Sequence, residues 1–263
     1  MSSIYRFEVH AFGCGIRVAT ECREAYAVLD RYTFPSLPRR ADGFDKPDIF
    51  IRVVRSAVEF QLLVDGVVVA SARLAISLVP DLIRVLDEAV LQSLTTLRAV
   101  HAGTVLWGER ALLLPGGTHA GKSSLVAELL RRGATYFSDE YALIDADGLV
   151  YPYPRPLLVR NGRPEQVPML PSECNASVGE SPVPVGWIFS LQYLSGCVWN
   201  VAPITQSEAV LTLLRNTPHI LAESPEMVQV FERAVAGATS YAGRRNEAAD
   251  AVDQILRLVD NFE

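Results

Sequence analysis

Residues 116–124 of the chain read Gly116-Gly117-Thr118-His119-Ala120-Gly121-Lys122-Ser123-Ser124. It follows Gly-x4-Gly-Lys-Ser, the pattern of a phosphate-binding loop. Glycines let backbone N–H groups close around phosphate oxygens without Cβ clashes, and the positive end of the next helix faces the anion. In this pattern Lys122 reaches the β- and γ-phosphates, and the Ser123 hydroxyl ligates Mg2+. We therefore expect all nine residues to form a nucleoside triphosphate site.

The sequence on either side of the loop fits this interpretation. A phosphate loop needs a strand before it and a helix after it. The apolar run 111–114 predicts a short buried strand, and the helix formers of 124–132 end at Gly133, a typical helix stop. A glycine-rich turn before an ordinary helix is the alternative, and the strand-loop-helix context favours the phosphate loop.

Composition limits the class of protein. The chain has 263 residues and a net charge of -6, which argues against a general nucleic-acid or anionic-membrane surface. There is no signal-peptide pattern at the N-terminus and no apolar run of membrane-spanning length. The four cysteines lack CxxC spacing and read as free thiols of a reducing compartment: Cys14, Cys22, Cys174 and Cys197. We expect a cytoplasmic protein without a nucleic-acid or membrane partner.

The pattern of the first 98 residues indicates a smaller, β-rich α+β domain. Asp65-Gly66 between two β-rich runs is a strong hairpin signal, and Pro80 opens a helix that joins the two parts of the chain. The predicted elements are a hairpin within 4–20, a helix at 21–32, strands at 48–54, 59–64 and 67–70, and a helix from 80 to about 97. This domain, residues 1–98, is a candidate for substrate or partner recognition.

Residues 99–263 read as the α/β catalytic domain. The predicted strands are 101–107, 111–114, 134–138, 141–144, 148–151, 185–191 and 197–201, and the predicted helices are 124–132, 205–214, 225–236 and 247–262. The proline-rich segment 152–184 has no clear periodicity. It predicts irregular structure, and a loop this long favours a substrate-facing role.

Two acids follow the strand that comes after the phosphate loop. Asp139 and Glu140 end the strand 134–138, so they lie at the sheet edge that carries the loop. A carboxylate there suits Mg2+ binding or proton acceptance. The alternative for each is an exposed acid in a turn.

Other polar residues have weaker signals. His101 lies beside the emerging phosphate loop if 101–107 and 111–114 form a hairpin, and it could then orient the catalytic carboxylate; a structural histidine is the alternative. His119 is either a phosphate donor or exposed on the rim. For Arg155 an exposed loop arginine is favoured over a phosphate contact, and for the pair Arg244-Arg245 a solvated turn is favoured over a site.

Three landmarks together resemble one family. They are His101-Ala-Gly, the loop with Gly121-Lys122-Ser123, and Arg132-Gly133 followed by Ser138-Asp139-Glu140. Over residues 100–145 the chain resembles the C-terminal catalytic domain of bacterial HPr serine kinase/phosphorylases and their HPr-kinase-like relatives. The resemblance implies a phosphoenolpyruvate-carboxykinase-like P-loop fold with a mixed sheet.

The resemblance also implies roles for individual residues. Asp139 matches the general base that acts on the acceptor hydroxyl, Glu140 matches the second acid, and Lys122 and Ser123 hold the phosphates and Mg2+. The metal ligands implied are thus Ser123, Asp139 and Glu140, and His101 supports the base. The implied reaction transfers the γ-phosphoryl group of ATP to a hydroxyl, often a seryl hydroxyl, mainly by positioning and charge neutralisation.

The sequence departs from the family at two points. Glu140 is one methylene longer than the family's second aspartate, and no Glu-x-Arg-Gly-x-Gly-Ile stretch follows the acids. The longer Glu140 side chain bears on the Mg2+ geometry. The missing stretch argues against a true HPr kinase, against phosphorylase activity and against the family hexamer. Whether the chain forms a homo-oligomer stays open.

The leading hypothesis is an Mg-ATP-dependent kinase for a hydroxyl of a peptide, a protein or a small metabolite. Relatives of this build occur with peptide tailoring systems, so a peptide seryl group is one candidate acceptor. The alternative is a nucleotide-binding regulatory module with little phosphoryl transfer. ATP hydrolysis coupled to movement is a weaker third hypothesis, because the sequence has no second nucleotide signature and no convincing arginine finger.

Overall fold

The computed structural model describes residues 3–40, 43, 45–117, 120–159, 166–218 and 226–260. Within these ranges the chain is a mixed α/β structure with three sheets and six α-helices. It divides into two compact units, Met1–Thr95 with Leu158–Leu170, and Thr96–Leu157 with Pro171–Glu263. The sequence predicted a boundary at 98/99 and gave no signal that 158–170 returns to the first unit.

The first unit contains a five-stranded sheet in the order β1-β2-β3-β4-β5. Its elements are β1 Tyr5–Ala11, β2 Cys14–Thr20, α1 Arg23–Tyr32, β3 Ile49–Arg55, β4 Phe60–Val64, β5 Val67–Ala72 and α2 Val79–Ser93. Strands β2 and β3 pair in parallel because α1 crosses between them, and the other pairs are antiparallel. Asp65 and Gly66 both have positive φ, as the tight β4–β5 turn requires.

Segment 158–170 corrects the expectation of irregular structure over 152–184. Two short strands, β11 Leu157–Val159 and β12 Val167–Met169, form a separate two-stranded sheet. Leu158 and Leu170 pack against a small buried cluster of the first unit, Tyr32, Val79 and Ile83. Strands of three residues are too short to show a hydrophobic period, which is why the sequence pattern did not reveal them.

The second unit is built on an eight-stranded mixed sheet. Its elements are β6 Arg98–Trp107, β7 Arg110–Pro115, α3 Lys122–Arg131, β8 Thr135–Ser138, β9 Tyr141–Ile144, β10 Leu149–Tyr151, β13 Val183–Tyr193, β14 Asn200–Pro203, α4 Gln206–Arg215, α5 Glu226–Val235, β15 Thr239–Arg245 and α6 Ala248–Asp260. The main order is β10-β9-β6-β7-β13-β15-β14, and β8 pairs with β6. Strand β13 runs parallel to β7 and β15, while the remaining pairs are antiparallel.

Predicted element boundaries were wrong at α2 and β14, and strand β15 was missed. Helix α2 ends at Ser93 instead of about 97, because the chain turns extended at Leu94 to enter β6. Strand β14 begins at Asn200, three residues later than predicted. Strand β15 was not predicted at all, because its sequence, Thr-Ser-Tyr-Ala-Gly-Arg-Arg, has neither an apolar run nor a clean alternation.

The β6–β7 hairpin brings the start of β6 to the phosphate loop. Ala102 pairs with Pro115, and the Gly116 N–H donates to the His101 carbonyl at 3.2 Å. On the other edge of β6, the Ala102 N–H donates to the Glu140 carbonyl at 2.9 Å. His101 therefore lies beside both the loop and the acids, as the predicted hairpin requires. Among the described residues, no helix has the length and apolar character needed to span a membrane.

Candidate active site

The candidate site begins at the N-terminus of α3. Gly121 caps the helix in the left-handed region, with φ 77° and ψ 26°, and Lys122 is the first helical residue. The first four N–H groups of a helix have no partner within the helix, so this end attracts anions. Ser123 is half-buried and Ser124 is exposed, and both lie in this first turn. Thr118 and His119, both predicted site residues, lie outside the described residues.

The Lys122 side chain points into the protein interior. Its side chain is buried, and its Nζ lies 2.9 Å from His101 Nε2 and donates to the Gly117 carbonyl at 3.2 Å. Burial lowers the pKa of Lys122, while the nearby negative charges of Glu140 and Asp139 oppose this shift. The residue therefore links the phosphate loop to the acid pair.

Asp139 is fully buried and lies against a cation. The Arg155 Nη2 lies 3.2 Å from Asp139 Oδ1, and the Tyr136 hydroxyl lies 3.1 Å from the same oxygen. The Tyr136 hydroxyl also lies 2.8 Å from the Arg155 carbonyl, and with one proton it donates to one acceptor at a time. Asp139 thus sits in a buried ion pair rather than in an exposed turn.

Glu140 has a different environment. Its side chain is 29% exposed, with Oε1 2.6 Å from His101 Nε2 and Oε2 3.3 Å from Arg155 Nη2. Burial raises the pKa of Glu140, but the His101 hydrogen bond and the positive charges of Arg155 and Lys122 prevail and lower the pKa to about 2. At neutral pH Glu140 is consequently ionised, which makes it a weak base and a suitable cation ligand.

The His101 imidazole is shared between two neighbours. Its Nε2 is within hydrogen-bond distance of both Glu140 Oε1 and Lys122 Nζ. A carboxylate only accepts and an ammonium only donates, so one ring nitrogen cannot serve both in the same way. We assign the Nε2 proton to the shorter contact, the one to Glu140. The expectation that His101 orients Asp139 is corrected here, because the acid in contact with the imidazole is Glu140.

Two arginines correct the sequence predictions. Arg155 is 3% exposed, not a solvated loop residue, because residues 153–155 pack beside β8 through a Tyr153 N–H to Phe137 carbonyl bond. Arg245 is 2% exposed and is not in a solvated turn. Its Nη2 donates to the carbonyls of Ala120 and Gly121 in the phosphate loop, at 3.0 and 3.2 Å. No local motif marks either arginine, so only the placement of distant segments reveals them.

The donor types of the predicted ligands suit an Mg2+-bound triphosphate. The residues predicted to hold the metal supply only hard oxygen donors: two carboxylates, of which Glu140 is ionised at neutral pH, and the Ser123 hydroxyl. A left-handed glycine before a helix N-terminus, with a lysine at the first helical position, is suited to phosphate oxygens. The chemistry of the site is therefore compatible with Mg-ATP.

Comparison with known proteins gives little guidance. No protein-family model and no curated protein sequence matches the chain. Among solved structures, the HPr(Ser) kinase/phosphatase from Coxiella burnetii is similar with a TM-score of 0.35 and 17% sequence identity. That similarity covers 63% of this chain and 95% of the Coxiella chain. Neither fold nor activity is inferred from a similarity of this size, so the function rests on the geometry of the site.

Proposed function

We propose that the protein is an Mg-ATP-dependent phosphotransferase that acts on a hydroxyl group. The observation that carries this proposal is the contact of Lys122, at the glycine-capped start of α3, with His101, which in turn binds Glu140. The groups expected to bind phosphate thereby lie next to the two adjacent acids. Phosphoryl transfer uses such groups to hold the nucleotide and the metal and to orient the acceptor. The phosphoenolpyruvate-carboxykinase-like P-loop fold implied by the family resemblance belongs to this proposal.

Each residue has a distinct role in the proposed reaction. Lys122 and the N–H groups at the start of α3 bind and orient the triphosphate. The oxygens of Ser123 and Glu140 would hold Mg2+, which would supply neutralisation of the phosphate charge. Asp139 accepts the proton of the acceptor hydroxyl. The acceptor oxygen forms a bond to the γ-phosphorus as the bond between that phosphorus and its bridging oxygen breaks, and ADP leaves.

Arg155 restricts when Asp139 can act as a base. The Asp139 carboxylate is fully buried, and the Arg155 guanidinium pairs with it at 3.2 Å. A base must come within hydrogen-bond reach of the proton that it takes. In the proposed cycle Arg155 therefore withdraws from Asp139 before the acceptor hydroxyl arrives.

The acceptor belongs to a class defined by chemistry only: a seryl hydroxyl of a peptide or protein, or a hydroxyl of a small metabolite. We assign its recognition to the N-terminal unit, since none of the catalytic candidates lies there. Nucleic acid and membrane are not among the proposed partners, in keeping with the net charge of -6.

The burial of Asp139 favours a second candidate function, that of a nucleotide-binding regulatory module. A nucleotide-binding regulatory module needs the phosphate loop but no accessible base, and an acid locked against Arg155 is compatible with that role. Both functions require ATP binding. They differ in whether a phosphoryl group leaves the nucleotide.

Labelled nucleotide separates the two functions. Wild-type protein is incubated with γ-labelled ATP, Mg2+ and a seryl-peptide library or a lysate, beside Lys122→Ala. Lys46→Ala, which changes the only other lysine of the chain at an exposed position, is the matched control. A labelled acceptor formed by wild type and Lys46→Ala, and lost in Lys122→Ala, supports the phosphotransferase. ATP binding without any labelled product would favour the regulatory module, and no ATP binding would overturn both.

A further inference from the structure

A buried arginine from the end of the chain lies behind the phosphate loop. Arg245 is the last residue of β15, and its side chain is 2% exposed. Its Nη2 donates to the carbonyls of Ala120 and Gly121, more than a hundred residues earlier in the chain. The same guanidinium donates from Nη1 to the Asn246 carbonyl at 2.8 Å and stacks over the Tyr193 ring at 5.2 Å from its centroid.

These two carbonyl contacts fix the direction of two N–H groups. In a planar trans peptide unit the C=O and the N–H point in opposite directions. The Ala120 carbonyl shares its unit with the Gly121 N–H, and the Gly121 carbonyl shares its unit with the Lys122 N–H. Because Arg245 holds both carbonyls toward itself, both N–H groups point away from it. Successive N–H groups aimed in this manner form an anion-binding concavity.

The loop has the backbone that this contact requires. Gly121 has φ 77°, and a Cβ at this position would clash with Arg245 Nη2. A glycine at 121 therefore serves two purposes, the left-handed turn and the close approach of the guanidinium. The Gly121 carbonyl also accepts the Leu125 N–H of α3 at 3.2 Å, so its two lone pairs serve both the helix and Arg245.

The charge of Arg245 is buried and only partly offset by its neighbours. Its Nε is buried without a hydrogen-bond acceptor, and Glu247 is the one carboxylate among the described residues whose charge acts on the guanidinium. Burial lowers the pKa of Arg245, and the negative charge of Glu247 only partly opposes this desolvation cost. A bound polyphosphate on the far side of the loop would offset that cost.

We propose that Arg245 is a positioning residue for nucleotide binding, which aims the Gly121 and Lys122 N–H groups at the phosphates and places a positive charge behind the loop. This inference rests on the proposed function, since it assumes that the loop binds Mg-ATP. It extends the site from a local motif to a strand near the C-terminus.

The test uses the neighbouring arginine as the control. Arg244 precedes Arg245 on the same strand but is exposed, so Arg244→Met and Arg245→Met remove the same side chain from adjacent positions. Affinity for Mg-ATP and for inorganic tripolyphosphate is measured by titration calorimetry on the full chain. We expect Arg245→Met to weaken both about tenfold or more, and Arg244→Met to leave both within twofold of wild type. A loss of affinity for tripolyphosphate shows that the substitution acts on phosphate binding rather than on recognition of the adenine ring.

The outcomes separate the two proposals. Absence of Mg-ATP binding in wild type would overturn the proposed function and this inference with it. If wild type binds Mg-ATP and Arg245→Met binds it with an affinity within twofold of wild type, this inference alone is overturned. The same holds if Arg245→Met has a lower thermal unfolding midpoint without nucleotide but an unchanged Mg-ATP affinity. If Arg245→Met does not fold, Arg245→Lys is judged by the same criterion, because lysine keeps the charge and loses the planar fork that spans two carbonyls.

Discussion

The Nε2 of His101 lies 2.6 Å from the Oε1 of Glu140. The same nitrogen lies 2.9 Å from Lys122 Nζ, so a single imidazole connects the phosphate loop to the second acid of the pair. Asp139, by contrast, contacts Arg155 and Tyr136. The two adjacent acids therefore have different environments, and the following predictions separate their roles.

Asp139→Asn tests the proposed base. We expect phosphoryl transfer to fall by about 100-fold to 10,000-fold, because an amide cannot accept the acceptor proton, while Mg-ATP affinity stays within a few-fold of wild type. Transfer is measured with γ-labelled ATP and affinity by calorimetry. Asp147→Asn, in an exposed turn of the same unit, should match wild type in both assays. Unchanged turnover in Asp139→Asn would remove Asp139 from the role of base.

Glu140→Gln tests the electrostatics of the acid pair through the pH dependence of stability. The pKa of Glu140 is lowered to about 2 in the folded protein, from a reference value of 4.5. Its ionised form consequently stabilises the fold fully above pH 4.5, and this contribution is lost as the pH falls toward 2. The upper bound is on the order of 3 kcal/mol.

Chemical denaturation between pH 5 and pH 2.5 measures this contribution. Wild type should lose stability more steeply toward low pH than Glu140→Gln does. Glu109→Gln, in the exposed β6–β7 turn, should keep the wild-type slope. Parallel curves for wild type and Glu140→Gln would contradict the lowered pKa of Glu140.

Arg155→Met tests the buried cation between the acids. Removing one partner of a buried ion pair costs about 3 to 5 kcal/mol, since the remaining charge is left without compensation. We expect the variant to regain part of this loss when Mg2+ is added, because the cation can replace the guanidinium between the carboxylates of Asp139 and Glu140. The free energy of unfolding is measured against Mg2+ concentration.

A surface arginine supplies the control for this measurement. Arg84 pairs with Asp81 at 3.1 Å on an exposed helix face. Arg84→Met should lower the free energy of unfolding by at most about 1 kcal/mol. Its stability should depend on Mg2+ as wild type does. An equal response of Arg155→Met and Arg84→Met to Mg2+ would argue against a metal site at the acids.

Gly121→Ala and Gly133→Ala form a matched pair at the two ends of α3. Both glycines have positive φ, 77° and 97°, so alanine at either should cost about 1 to 2 kcal/mol of backbone strain. A Cβ at 133 meets open space, whereas one at 121 clashes with Arg245. We expect Gly121→Ala to lose more stability and, unlike Gly133→Ala, to lose Mg-ATP affinity. Equal effects on both measurements would show that the approach of Arg245 to Gly121 is unimportant.

The sequence alone determined the local features of this protein. The strand before residue 116, the helix that begins at Lys122, the Asp65-Gly66 hairpin and the position of His101 beside Gly116 all depend on interactions between residues that are near in sequence or joined by one tight turn. Such features leave a mark in periodicity, in glycine placement and in motif spacing.

The partners of the charged groups depend on contacts between segments that are distant in the sequence. Arg155 and Arg245 read as solvated residues, yet each is buried against groups brought from elsewhere in the chain, Arg155 on the acids and Arg245 on the phosphate loop. Likewise His101 contacts Glu140, whereas it was expected to support Asp139. The physical reason is that a buried charge needs a partner, and which partner it finds is set by the pairing of β6 with β9 and by the position of β15, not by local sequence.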